Sequence, residues 1–79
     1  HYQANHSYIL ELKYLSKADY TEEKAQKQWD EAVKQINRYA VAPRVEALRQ
    51  GTQMHKIIIQ FCGWEVLRME EVLRTETAV

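Results

Sequence analysis

Glu11 and Lys13 are the residues whose types and spacing most invite chemistry, because they stand two apart inside the otherwise apolar run Tyr8-Ile9-Leu10-Glu11-Leu12-Lys13-Tyr14-Leu15. In an extended strand successive side chains alternate faces, so Ile9, Glu11, Lys13 and Leu15 share one face and Tyr8, Leu10, Leu12 and Tyr14 the other. Both faces read as buried. Taking a carboxylate and an ammonium out of water is costly unless they are paired or bound to a metal, so a strand that keeps both is a candidate site. A second candidate pair is Gln35 and Tyr39. On a helix they are i,i+4 neighbours, about 40° apart in projection, at the margin of an apolar stripe where a helix edge meets a sheet. Gln28 lies on the same margin.

The elements that must position these residues follow from patterning. The run Ser7 to Leu15 ends at the polar stretch Ser16-Lys17-Ala18-Asp19, which predicts a loop. Asp19 or Thr21 can then cap a helix from about Thr21 to Ala40, with Glu22 and Glu23 in its first turn, where the helix dipole favours negative charge. Ala25, Trp29, Ala32, Val33, Ile36, Tyr39 and Ala40 recur at steps of three and four and form one core-facing stripe. Glu23 with Lys27 and Asp30 with Lys34 make the opposite face wet. Pro43 stops this helix. Arg44 to Gln50 predicts a short helical connector with Val45 and Leu48 inward and Gly51 at its C-terminal cap. Met54 to Cys62, rich in β-branched residues, predicts a strand buried on both faces. Gly63 breaks the run, and Trp64 to Val72 returns as the more exposed arm of a hairpin. Residues 73–79 are expected to fray. Strand, long helix, connector and hairpin predict an α+β fold with an α/β-like start, in which a right-handed crossover leaves the first two strands parallel and the helix covers one face.

Composition narrows the function classes. Seventy-nine residues make one small domain, which buries only about 60% of the surface its unfolded chain exposes. Eleven basic and eleven acidic residues cancel, so the chain lacks the positive field of a protein that holds a phosphate backbone unaided. The single cysteine, Cys62, forms no internal disulfide and offers no thiol cluster, which points to a reducing compartment and hence the cytoplasm. No apolar run approaches the roughly 18 residues of a membrane span. His1, His6 and His55 lack metal-ligand spacing. Arg38, Arg44 and Arg49 are too sparse for a DNA patch, and Trp29 and Trp64 are expected to pack. Nothing predicts a small-molecule ligand. With no initiator Met and a first strand within a few residues of His1, the sequence reads as a piece of a longer protein.

Taken in order, the Glu11-Leu12-Lys13 strand, the helix ending Gln35-Ile36-Asn37-Arg38-Tyr39, the strand His55-Lys56-Ile57-Ile58-Ile59 and the hairpin Phe61-Cys62-Gly63-Trp64-Glu65 resemble the C-terminal part of the PD-(D/E)XK nuclease superfamily, whose core is restriction-endonuclease-like. The likeness is greatest to a bacterial branch in which this region follows an AAA-ATPase-like domain, and it covers nearly the whole chain. The resemblance implies that Glu11 ligates a divalent cation, usually Mg²⁺, with the backbone carbonyl of Leu12 nearby, and that Lys13 sits beside the attacking water or the scissile phosphate. It implies that Gln35 and Tyr39, matching a Q-x-x-x-Y pattern, stand behind the metal ligands or face the nucleic acid, and that nucleic acid is a partner of the intact protein. The family's other acid, an Asp on the strand before the E-x-K strand, has no counterpart here. The chain is therefore expected to be a partial domain over 1–79, inactive by itself. The unpaired side of the E-x-K strand predicts self-association through a strand edge. Two functions of different class remain: the E-x-K portion of a metal-dependent nuclease, and a non-catalytic interaction or regulatory domain that keeps the nuclease fold beside an ATPase-like domain. For Glu11 and Lys13, the plain alternative is a charge pair at a sheet edge; for Gln35 and Tyr39, it is a helix margin satisfying its own polar atoms.

Overall fold

A computed structural model describes residues 6–49 and 51–73. His1, residues 74–79 of the expected tail and the side chain of Arg49 lie outside the described residues. The elements are β1 (His6–Leu15), α1 (Glu22–Ala40), α2 (Pro43–Arg49), β2 (Gln53–Cys62) and β3 (Glu65–Glu71). The three strands form one mixed sheet in the order β1-β2-β3, with β1 parallel to β2 and β2 antiparallel to β3. This is the α+β arrangement expected from the patterning.

Local chemistry sets the element ends. Thr21, in extended conformation, caps α1, its Oγ1 accepting from the Lys24 N–H at 3.0 Å. Asp19 instead closes the preceding turn, where its N–H donates to Ser16 Oγ at 3.1 Å and its carboxylate accepts from the Ser16 hydroxyl at 2.8 Å. Pro43 opens α2 rather than merely stopping α1, as suits a ring with no N–H to lose at a first helical position. Gly63 adopts φ +62° at the hairpin and its N–H donates to Leu15 O at 2.8 Å, so the β1–β2 ladder continues into the turn. One extra residue, Leu67, shifts the β2–β3 register between Gln60 and Phe61.

The core lies between α1 and one face of the sheet. Trp29, Ala32, Ile36 and Ile58 form its buried centre, with Ile9, Val33 and Val72 packed against it. The Arg68 guanidinium lies 4.0 Å from the centroid of the Trp29 ring and covers the core on the β3 side. Gln28 and Gln60 sew the layers together. Gln60 Nε2 donates to Ala25 O and Gln28 Oε1, while Gln28 Nε2 donates to Tyr14 O.

Several expectations are corrected. β1 is not buried on both faces: α1 covers only the side bearing Ile9, Glu11, Lys13 and Leu15, and Tyr8, Leu10, Leu12 and Tyr14 are exposed on the other. β2 is likewise buried on the helix side at Lys56, Ile58 and Gln60, with Ile57, Ile59 and Phe61 only half-buried on the open side. On that side Tyr14 stacks on Phe61, with centroids 5.1 Å apart. Leu48 is 73% exposed, and the seven-residue α2 packs chiefly on α1. Trp64 sits at the hairpin tip, 86% exposed, and packs no core. Tyr39 leaves the apolar stripe, and Asn37 takes a place in it.

Asn37 is buried together with Lys56, whose ammonium donates to Asn37 Oδ1 at 2.7 Å. Burial lowers the Lys56 pKa from its ordinary value of 10.5. The folded state therefore binds fewer protons than the unfolded state between the depressed value and 10.5, and stability rises with pH across that window. Urea melts at pH 8 and pH 10 are expected to show this rise, and Lys56→Met is expected to remove it. An equal slope in the variant would contradict the assignment.

Candidate active site

Strand alternation and the helical repeat bring the two sequence-predicted pairs together. Because α1 lies over the Ile9–Leu15 face of β1, Glu11 and Lys13 point into the sheet–helix layer with side-chain exposures of 14% and 26%. Gln35 lies on the margin of α1 above them. Lys13 Nζ lies 3.2 Å from Glu11 Oε2 and donates to Gln35 Oε1 at 2.9 Å. Gln35 Nε2 in turn donates to the Tyr39 hydroxyl at 3.4 Å, and Tyr39 is half exposed. The amide's two ends match their neighbours, oxygen toward the cation and nitrogen toward the hydroxyl.

This is one continuous run of polar contacts from a half-buried carboxylate to solvent. Among the described residues β1 is an edge strand, so the run sits where the sheet is open to a further chain segment or a ligand. Two of the ammonium's three donors are directed at Glu11 and Gln35. Leu12 lies between the pair in β1, and its side chain is on the opposite, open face.

The donor set does not by itself fit a divalent cation. Glu11 gives one carboxylate, and among the described residues no group of three His, Cys, Asp or Glu side chains is arranged to hold a metal ion. Mg²⁺ takes six hard oxygens in near-octahedral geometry, commonly with one or two carboxylates among them. Glu11 is here committed to Lys13.

A family model described as the PD-(D/E)XK nuclease superfamily matches residues 1–71. The chain belongs to the PD-(D/E)XK nuclease superfamily. Within it, the matched span includes the E-x-K strand, the Q-x-x-x-Y helix and the hairpin through β3. No curated protein and no solved structure matches the chain. Members of this superfamily generally use divalent metals. Among the described residues, no helix is long and apolar enough to cross a membrane.

Sequence reasoning missed the buried Lys56–Asn37 pair and the Gln60–Gln28 link, although both had a signal. Lys56 and Gln60 flank Ile58 at the two-residue spacing that shares a strand face, and Asn37 lies one and two helical turns beyond Val33 and Trp29. It also missed a second polar cluster, His6, His55 and Glu71, at the far end of the open face. There the residues come from three strands, and only the register shows them as neighbours.

Proposed function

We propose that this chain carries the E-x-K half of a metal-dependent nuclease site that hydrolyses phosphodiester bonds in the intact protein, with Mg²⁺ as the expected ion. The observation that supports this reading is the hydrogen-bonded run from Glu11 through Lys13 and Gln35 to Tyr39, which joins the two motifs of the matched family across 22 residues of sequence.

In this reading Glu11 contributes the anionic oxygen of the site, and a second carboxylate comes from outside the described residues. A metal ion held by Glu11 and that second carboxylate would supply charge for activating water and stabilising phosphate. Lys13 is the residue whose own action can be derived. Attack on a phosphodiester builds negative charge on the phosphoryl oxygens, and a fixed ammonium in a half-buried site stabilises that charge without reorganising. Gln35 holds the lysine in place by accepting from it, and Tyr39 orients Gln35. The 79-residue chain alone is expected not to cleave. Association with an AAA-ATPase-like domain and a cytoplasmic location belong to the same proposal.

The test uses the longest natural polypeptide that carries this domain, with single- and double-stranded DNA and RNA in Mg²⁺ or Mn²⁺. Metal-dependent cleavage is expected. Gln35→Ala should lower its rate by about 10–100-fold, the scale for partners that orient site groups. Unchanged cleavage in Gln35→Ala would remove that residue from the account.

The single carboxylate also favours a second reading, a non-catalytic domain that keeps the fold and binds a partner. It predicts no cleavage in any metal and nucleic-acid or protein binding insensitive to Lys13→Ala. In either reading we propose that the free edge of β1 pairs with a second copy. Light scattering is expected to show a dimer, and a clean monomer at high concentration would refute it.

A further inference from the structure

At the start of β1 and on the opposite face of the sheet from Glu11, the three strands bring His6, His55 and Glu71 into one line. His55 Nδ1 lies 2.8 Å from Glu71 Oε2, and His55 Nε2 lies 2.9 Å from His6 Nδ1. A carboxylate only accepts, so in a neutral His55 ring the proton sits on Nδ1 and the lone pair on Nε2. The Tyr8 ring, stacked on His55 at 4.9 Å and 19°, fixes the plane of that imidazole. His55 is thus held in one tautomer and one orientation, with its Nε2 lone pair accepting from the His6 Nδ1–H. A carboxylate on the far nitrogen of a histidine is the arrangement that orients metal-ligating histidines.

We propose that His6 Nδ1 and His55 Nε2 bind one divalent transition-metal ion of the zinc class, with Glu71 and Tyr8 as positioning residues. Two imidazole nitrogens at about 2.0–2.1 Å from a tetrahedral ion lie about 3.3 Å apart. The observed 2.9 Å opens by about 0.4 Å, and the rings turn by roughly 35° so that both lone pairs meet at the ion off the N–N line, a turn that His6, exposed at the start of β1, makes while His55 stays held by Glu71 and Tyr8. From the neutral pair the step balances without proton release. The His6 proton moves from Nδ1 to Nε2, the two lone pairs fill two positions of the ion, and solvent or a ligand fills the others. Imidazole nitrogen suits zinc and copper rather than Mg²⁺, so this site and the Glu11 site select different ions. Bound metal would join the starts of two parallel strands that are 49 residues apart in sequence.

Calorimetric titration of the folded chain with Zn²⁺ tests this, together with imidazole ¹H–¹⁵N spectra. One Zn²⁺ per chain is expected, with the His55 Nε2 and His6 Nδ1 resonances shifting. Glu71→Gln should weaken binding by about 10–100-fold. His55→Gln should abolish it, and His6→Gln, at an exposed position, should do so if His55→Gln does not fold. Zn²⁺ affinity unchanged in His6→Gln, or imidazole resonances that do not move on adding Zn²⁺, would overturn the proposal and leave the cluster a hydrogen-bonded relay.

Discussion

Ile58→Ala is expected to lose about 2–5 kcal/mol of folding stability, and Ile36→Ala a similar amount. Both side chains are fully buried, facing each other across the single helix–sheet layer in a centre shared only with Trp29 and Ala32. No second core exists among the described residues to compensate. At roughly 0.05–0.15 kcal/mol per residue, a domain of this size has a total stability of about 4–12 kcal/mol. Either truncation removes a large part of it. Urea denaturation followed by circular dichroism measures the loss, and Ile58→Val, which removes one methylene, should cost about 0.5–1.5 kcal/mol. A loss below about 1 kcal/mol for Ile58→Ala would mean that α1 does not pack on this face. Leu10→Ala, on the open face, is expected to cost much less, because its side chain is already more than half exposed.

Lys13→Ala is the change expected to act most strongly on chemistry without unfolding the domain. The side chain is one-quarter exposed, and its partners Glu11 and Gln35 can both turn to solvent at the β1 edge. Removing a fixed positive group aimed at developing charge typically costs about 10²–10³-fold in rate. Lys13→Arg is not expected to restore it, because the planar guanidinium cannot take the place of a compact ammonium between Glu11 Oε2 and Gln35 Oε1. Measured in the intact polypeptide, full activity in Lys13→Ala would show that the Glu11–Lys13 contact is only a charge pair at a sheet edge.

The helix and the strand pattern were legible because both are written in short-range periodicity. Ala25, Trp29, Ala32 and Ile36 recur at helical steps and are all buried, and the alternation of β1 placed Glu11 and Lys13 on one face. The i,i+4 relation of Gln35 and Tyr39 was likewise readable, and the hydrogen bond between them is present. What alternation could not show is which of two apolar faces a helix covers. Tyr8, Leu10, Leu12 and Tyr14 are as apolar as any core strand, yet they face outward, since the described chain has one helical layer to offer. Trp64 misled for a related reason: its bulk suggested packing, but the turn at Gly63 carries it past the end of the sheet. The polar interior was hidden because Lys56, Asn37, Gln28 and Gln60 belong to different elements, and their pairing depends on the parallel register of β1 with β2 and the position of α1 above them. The lysine–glutamine contact at the candidate site has the same origin. Sequence put Lys13 and Gln35 on facing elements, and only the fold set them 2.9 Å apart.

The central claim is that Glu11 belongs to a nuclease site and not to a structural ion pair. Glu11→Gln keeps the size and a hydrogen-bonding oxygen for Lys13 while removing the anionic charge that a hard cation needs. The decisive measurement is phosphodiester cleavage by the intact polypeptide in Mg²⁺ or Mn²⁺, comparing wild type with Glu11→Gln at equal thermal stability. The account predicts metal-dependent cleavage in the first and its loss in the second. Equal cleavage by both proteins would contradict it.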